Sequence, residues 1–416
     1  MSDTPHPGGV SRFSTAGTIA VAMGVMNVAT YGFTVVAARL LGPPSYGALA
    51  SLMATLLVVS VLQLGLQATA ARRIAAEPEH VAQIQRTILG VTYRAAAALG
   101  VLLLVLSPVL NVVLRLDSLL TAALVAVVAV PFTVMGGQAG ILQGERRWGA
   151  LSVLYLLSGV PRLVLGSALV LWQPSELTAL VATGLGQCFP VVAGYLFLRR
   201  PRDPGTHSEE HGFRHVMLEV FHSSHVLLAL FALSNADIVV ARNVLPEHDA
   251  GLYAGGLILT KAVLFLPQFV VVVAFPEMST QAGRRRALTT SLGLVAAIGL
   301  AVVGGVTVLP DLALVFVGGD EYGEIADNLW IFAVLGTVLA MLQLLIYSVL
   351  ARQGQGSVYL VWAVFAVMVG AGLTCDNLRA LVAVVISADA TLLTVLLVIT
   401  LRVTRPAPVP EDVDAT

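Results

Sequence analysis

Twelve long apolar runs follow one another along this chain, separated by short polar loops. They span Ser14–Ala38, Tyr46–Ala70, Thr87–Leu114, Ser118–Leu142, Trp148–Trp172 and Leu177–Leu198, then His215–Ala241, Gly251–Phe275, Ala287–Leu309, Asn328–Leu350, Ser357–Thr374 and Ala380–Leu401. Most are close to the roughly 20 residues that a helix needs to cross a hydrocarbon core of about 30 Å. Backbone groups in lipid must bond within their own segment, and the runs lack the ten-residue alternation of barrel strands. The pattern therefore predicts an all-α integral membrane protein with about twelve transmembrane helices.

The longest polar interruption, Arg199–Arg214, divides the runs six and six. This predicts a six-helix lobe over 1–198, a linker over 199–214, a second six-helix lobe over 215–401 and a disordered, proline-rich acidic tail over 402–416. The halves resemble each other. Ala38-Arg39 leads through Pro43-Pro44 to Gly47-Ala48-Leu49-Ala50, and Ala241-Arg242 leads through Pro246 to Gly251-Leu252-Tyr253-Ala254. A weaker echo links Ile141-Leu142-Gln143 to Val349-Leu350-Ala351. Because six is even, the repeats share one orientation, with a pseudo-two-fold axis along the membrane normal, a transporter pattern. Pro131, Pro161, Pro190 and Pro267 fall inside runs, where proline removes a ladder donor; they are read as hinges or as static kinks.

Composition agrees. Hydrophobic residues make up 57% of the 416 and charged residues only 11%, against about a quarter charged in a soluble domain. Lys and Arg are unevenly spread. Alternate loops, starting from the N-terminus, hold sixteen of the 23; the others hold Arg39, Arg115, Arg242 and Arg379. The positive-inside rule then predicts both termini in the cytoplasm. The first run is too long for a cleavable signal and no small-residue cleavage site follows it. Cys188 and Cys375 lie in different helices and give no disulfide framework.

The segment "ARLLGPPSYGALA" (Ala38–Ala50) resembles the opening signature of bacterial polysaccharide-export proteins, the oligosaccharide flippases of the MATE-like MOP superfamily. "ILQGERRW" (Ile141–Trp148), "GLYAGG" (Gly251–Gly256), "FPEMS" (Phe275–Ser279) and "VGGDEYGEIADNLWIFA" (Val317–Ala333) follow in that family's order. The resemblance implies two six-helix lobes around a central cavity. It also implies transfer of undecaprenyl-pyrophosphate-linked oligosaccharide from the inner to the outer leaflet of the bacterial plasma membrane, with polysaccharide polymerases or glycosyltransferases as partners. Arg39, Gly42, Tyr46 and Gly47 read as structural: the glycines suit a tight turn and Tyr46 the aromatic interface belt.

Ionisable residues inside a membrane are costly and are functional candidates by default. Counted from the run ends at 1.5 Å per residue, Arg162 and Lys261 both lie about 15 Å deep, one in each half. They are the expected phosphate-binding cations, with Arg94 nearer the cytoplasmic end; a helix-packing role for Arg162, on carbonyls freed near Pro161, is the alternative. Asp389 is expected near the midplane too, either paired with Lys261 or binding the H⁺ or Na⁺ that drives the cycle. Glu219, His222 and Asp237 fall on one face of the seventh run by helical spacing, as a proton path or as snorkelling interfacial groups. No enzymatic, metal or nucleic-acid site is expected. His207-Ser208-Glu209-Glu210-His211 matches an inverted zinc-protease motif, but it sits in a Pro/Gly-flanked linker rather than on a buried helix. There is no phosphate loop for nucleotides, and no long loop for glycan-assembly chemistry. The alternatives are a same-fold exporter of small amphiphiles, whose cavity would be dominated by acids, and a membrane-bound enzyme of glycan assembly.

Overall fold

The computed structural model describes residues 9–199, 212–264, 284–350 and 355–403. All regular structure among these is helical: α1 (Gly9–Val59), α2 (Val61–Ala76), α3 (Val81–Val105), α4 (Ser107–Val113), α5 (Leu119–Gly144), α6 (Trp148–Trp172) and α7 (Glu176–Leu198) in the first half. The second half holds α8 (Phe213–Leu233), α9 (Ala236–Val244), α10 (Glu247–Leu264), α11 (Arg284–Val308), α12 (Pro310–Val317), α13 (Leu329–Leu350), α14 (Gln355–Gly372) and α15 (Leu378–Val403), with a 3₁₀ segment, Asp320–Asn328, before α13. The zinc-like motif, Pro267, "FPEMS" and the tail beyond Val403 lie outside the described residues.

Nine described stretches are long and apolar enough to cross a bilayer. One of them, Gly17–Ala76, is 60 residues long, about 90 Å as straight helix, and a break at Gly42 makes it two crossings. Val358–Gly372 is a shorter apolar helix. α10 leaves the described residues at Leu264. Val28, Val105 and Leu300 are largely exposed, a lipid-facing surface that water would penalise.

Within the first half α1 packs on α6 and α7, while α5 packs on α2, α3 and α7. Within the second, α13 packs on α10, α11 and α15. The halves meet where α1 touches α8, α9 and α10, and where α2 and α3 touch α8.

The expected runs are interrupted at places that the apolar pattern does not mark. Pro108 lacks the N–H that would bond the Leu104 carbonyl, and the Ser107 hydroxyl donates to that carbonyl instead at 2.7 Å; α4 follows as a short separate helix. The seventh run is two helices. It breaks at Ser234-Asn235, where Asn235 has φ −136° and ψ 0°. The Phe231 carbonyl, left by the Asn235 N–H, accepts from Asn235 Nδ2 at 2.9 Å, while Ser234 Oγ adds a second bond to the Leu230 carbonyl at 2.9 Å. By contrast, the helix runs through Pro131, Pro161 and Pro190 without interruption.

At the centre of the interface two backbones touch. A Cβ on Gly47 would stand 3.0 Å from the Gly251 Cα, and one on Gly251 only 1.9 Å from the Pro43 carbonyl oxygen. These are the repeat-equivalent glycines of the two halves. Equivalent residues can meet only at a two-fold axis, so the pseudo-symmetry read from the sequence passes between them. Just before this contact Gly42 turns the chain with φ +67°, where an L side chain is strained. Tyr46 corrects an expectation. It is 5% exposed and packs edge-on against Tyr322 with ring centroids 6.4 Å apart, so it belongs to the interior of this junction and not to an aromatic belt.

Gly251→Ala should lower the thermal midpoint of the purified protein, because overpacking against backbone costs about 1–3 kcal/mol. Gly293→Ala, where an added Cβ meets nothing within 4 Å, should hold or raise it, since alanine is favoured in helices by up to about 1 kcal/mol. Equal midpoints for the two variants would remove the case for an axial glycine contact.

Candidate functional site

Arg162 lies on α6 and packs against α1 of its own half. Its guanidinium carbon stands 5.1 Å from the centre of the Phe33 ring, and one terminal nitrogen is 3.3 Å from the Met53 sulfur. Its Nε has no hydrogen-bond partner among the described residues. A cation over an aromatic face is worth about 0.5–2 kcal/mol, well short of satisfying a guanidinium with five donors. The expected alternative, a packing role on carbonyls freed by Pro161, is not what the geometry shows; the partners come from α1.

Lys261, on α10, lies within electrostatic reach of Arg162 and of Asp237. One cation from each half therefore approaches the same region, Tyr46 of the axial junction lying within reach of Arg162. The acid near Lys261 differs from the expected one. Lys261 is within electrostatic reach of Asp237, with no ion pair to either acid, whereas Asp389 is within reach of Asp237 and Tyr253. Depth counted from run ends gave Asp389 and Lys261 a common level, but depth says nothing of rotation about the helix axis.

Asp237 is 4% exposed and Asp389 1% exposed. Neither is a snorkelling residue. The break at Ser234-Asn235 places Asp237 in the first turn of α9, where the helix N-terminus favours a carboxylate. Tyr253 donates its hydroxyl to Asp237 Oδ2 at 2.9 Å. The other oxygen of Asp237, and Oδ1 of Asp389, have no hydrogen-bond partner among the described residues. The site is thus a cluster of two buried carboxylates, a tyrosine and a lysine from α9, α10 and α15, with Arg162 of the first half within electrostatic reach of the lysine.

The same break separates Glu219 from Asp237, so the shared helical face expected for them does not exist. Glu219 sits at the arginine-rich face. It pairs with Arg73 (2.6 Å) and with Arg72, both on α2, and bridges the two halves there. The His222 side chain lies outside the described residues. Arg94 is exposed on α3, its guanidinium carbon 4.6 Å from the centre of the Phe213 ring at the start of α8. Arg39 donates to the Val315 carbonyl across the halves at the opposite face. Gly42 leaves room for Glu321, whose carboxylate would stand 2.7 Å from an added Cβ.

The first half answers with neutral polar groups. Gln67 Nε2 donates to Gln143 Oε1 at 2.9 Å and to the Tyr155 hydroxyl at 3.0 Å. Ser158 bonds Gln187 at 3.3 Å. Sequence reasoning passed over Tyr253 as a partner of Asp237. Its signal was present in "GLYAGG", a motif read only as a likeness.

Tyr253→Phe should destabilise the protein by about 1–3 kcal/mol by stranding a buried carboxylate. Adding Asp237→Asn should recover part of that loss, so that a double-mutant cycle shows coupling. Strictly additive losses in a denaturation series would mean that the two side chains do not interact.

Comparison with known proteins fits this arrangement. A family model described as "Polysaccharide biosynthesis protein" matches residues 14–282. No curated protein matches the chain significantly. Among solved structures, the chain is similar to an inward-facing multidrug resistance MATE family transporter of the MOP superfamily, at 17% identity and TM-score 0.69, with 94% of this chain and 98% of that one covered. It is similar to a eukaryotic MATE transporter at 14% identity and TM-score 0.66, covering 94% and 96%. It also matches a MOP superfamily transporter from Pyrococcus furiosus at 16% identity and TM-score 0.63, covering 94% and 95%. At such identities the structures establish a shared MATE-like fold, and the family match over most of the chain adds the lineage: this protein belongs to the polysaccharide biosynthesis protein family and has the fold of MATE transporters.

Proposed function

We propose that this transporter moves a polyprenyl-pyrophosphate-linked oligosaccharide from the inner to the outer leaflet, its polar headgroup crossing between the halves while the lipid tail stays in the bilayer. The observation that carries this reading is that Arg162 and Lys261, one from each half and both partly buried, lie within electrostatic reach of each other. A pyrophosphate is the anion such a pair suits. Arginine offers a planar fork and lysine a compact point charge, and a site shared between halves can be handed from one face to the other as they rock. The neutral amides and hydroxyls around Gln67, Gln143 and Tyr155 suit sugar hydroxyls, and exposed Arg94 suits a first contact with an anionic headgroup.

In this reading the arginine-rich face is cytoplasmic, the protein resides in the bacterial plasma membrane with both termini inside, and residues 1–198 and 215–401 form the rocking lobes. Polysaccharide polymerases or glycosyltransferases would receive or supply the substrate. The chain itself does no covalent chemistry. Asp237 and Asp389 supply the coupling: two buried carboxylates lie within electrostatic reach of each other, and only Asp237 is within reach of Lys261, so a bound H⁺ or Na⁺ would offset their mutual repulsion. Glu219, engaged by Arg72 and Arg73, acts at the cytoplasmic seam instead.

A second reading has an observation of its own. The buried acids of the second half would equally serve an ion-coupled exporter of small amphiphiles, and a solved structure of this fold is a multidrug resistance MATE family transporter. The two cations favour an anionic cargo over a cationic drug.

Lipid analysis of cells lacking the protein decides between them. Accumulation of one undecaprenyl-linked oligosaccharide on the cytoplasmic leaflet, with loss of a surface glycan, is expected. Unchanged lipid-linked sugars, together with raised sensitivity to amphiphiles, would reverse the assignment. Arg162→Gln and Lys261→Gln should each cut transport at least about tenfold, as loss of one charge-assisted contact predicts, while the purified protein keeps its helical content. Asp389→Asn should abolish the dependence of transport on a H⁺ or Na⁺ gradient; gradient dependence that survives this change would exclude coupling through Asp389.

A further inference from the structure

At the face opposite the arginine-rich loops, each half grips the other with an arginine, and the two grips are related by the repeat. Arg242, at the end of α9, donates from Nε to the Leu114 carbonyl at 3.1 Å and from a terminal nitrogen to the Arg115 carbonyl at 2.6 Å. Those carbonyls close the C-terminus of α4 in the first half. Arg39, at the equivalent place on α1, donates to the Val315 carbonyl in the last turn of α12 in the second half.

The receiving ends correspond in detail. The Leu116 N–H bonds the Asn111 carbonyl at 3.0 Å, and the Gly319 N–H bonds the Leu314 carbonyl at 2.9 Å. Both are six-to-one closures of a helix C-terminus. Arg39 to Arg242, Asn111 to Leu314 and Leu116 to Gly319 are each 203 positions apart. A similar grip therefore crosses the interface in each direction, with the acceptors offset: the counterparts of Leu114 and Arg115 are Val317 and Gly318, whereas Arg39 takes the Val315 carbonyl.

The chemistry suits a contact that forms and breaks. The last carbonyls of a helix carry partial negative charge and lack intrahelical partners, so a guanidinium fork satisfies them without a carboxylate having to be buried. Arginine and acceptor belong to different halves. Any motion that parts the halves at this face must break both grips and return every group to water.

The two grips are unequal. Arg115, in the left-handed conformation with φ +47°, sends its own guanidinium back to the Asn243 carbonyl at 2.6 Å and the Leu245 carbonyl at 3.4 Å. Asn243 Nδ2 donates to the Val113 carbonyl at 2.7 Å. The counterpart of Arg115 is Gly318, which has no side chain to reach back. On that side the Tyr31 hydroxyl donates to the Phe316 carbonyl at 3.2 Å and the Tyr322 hydroxyl to the Ala38 carbonyl at 3.4 Å.

We infer that Arg39 and Arg242 are paired gate residues: reciprocal arginine-to-helix-terminus clasps that hold this face closed and set the balance between its closed and open states, with Arg242 the stronger of the two. The inference rests on the alternating-access reading above, but not on the identity of the substrate.

The test is a distance measurement on the full-length protein, with Cys188 and Cys375 replaced by serine. Spin labels at Gln173→Cys and Gly323→Cys report the clasped face from opposite halves, and labels at Glu79→Cys and Arg214→Cys report the arginine-rich face. In Arg242→Ala the open-to-closed ratio at the clasped face should rise about tenfold, as loss of a charge-assisted contact predicts. The arginine-rich pair should move closer. Arg39→Ala should do the same to a smaller extent, and Arg242→Lys, which keeps the charge and a donor, should lie between wild type and alanine. Unchanged distances in the Arg39→Ala/Arg242→Ala double variant would overturn the inference. So would widening at both faces together, which would mean general loosening. If the alanine variants fail to fold, the lysine variant decides in the same way. Because no cargo is needed, a failed substrate assignment leaves this result intact.

Discussion

The contact between Gly47 and Gly251 is the constraint on which the rest of the structure depends. Two helices can approach backbone to backbone only where neither carries a side chain, and here that approach falls on the axis relating the halves. Once those backbones touch, the turn at Gly42 must use a conformation that glycine allows. Tyr46 is carried inward against Tyr322, and the loops on this face are brought within reach of each other's helix ends. Small residues at helix contacts are the membrane's substitute for a hydrophobic driving force, because lipid is already as apolar as leucine.

Symmetry of backbone has not been matched by symmetry of charge. Each half contributes one deep cation, Arg162 or Lys261, but the buried acids Asp237 and Asp389 are in the second half. The first half holds instead a set of amides and hydroxyls bonded to one another. A two-fold scaffold thus carries an asymmetric charge set, divided between the halves. The break at Ser234-Asn235 supports that division. It moves Asp237 off the line of the seventh crossing and into the field of α9's N-terminus, beside Tyr253.

The halves are also joined differently at the two faces. At the arginine-rich face the bond is an ion pair, Arg72 and Arg73 on Glu219. At the opposite face it is arginine on backbone carbonyls. A salt bridge weakens with ionic strength and exposure, whereas a helix terminus offers an acceptor that cannot be neutralised by protonation. The two seams therefore answer to different conditions.

The sequence by itself determined the membrane class and the approximate positions of most apolar crossings, because each is a matter of spacing and composition along one dimension. It also singled out Arg162, Lys261, Asp237 and Asp389, because charge in an apolar run stands out wherever it points. What it could not supply was rotation and partnership. Depth placed Lys261 level with Asp389, but the fold brought Asp237 within electrostatic reach of the lysine. Periodicity put Glu219 and Asp237 on one face, but a break made from ordinary residues, Ser234 and Asn235, separated them. Arg39 and Arg242 looked like loop residues of a signature. Their carbonyl partners lie more than 120 residues away in chain order, and backbone acceptors leave no mark on a sequence.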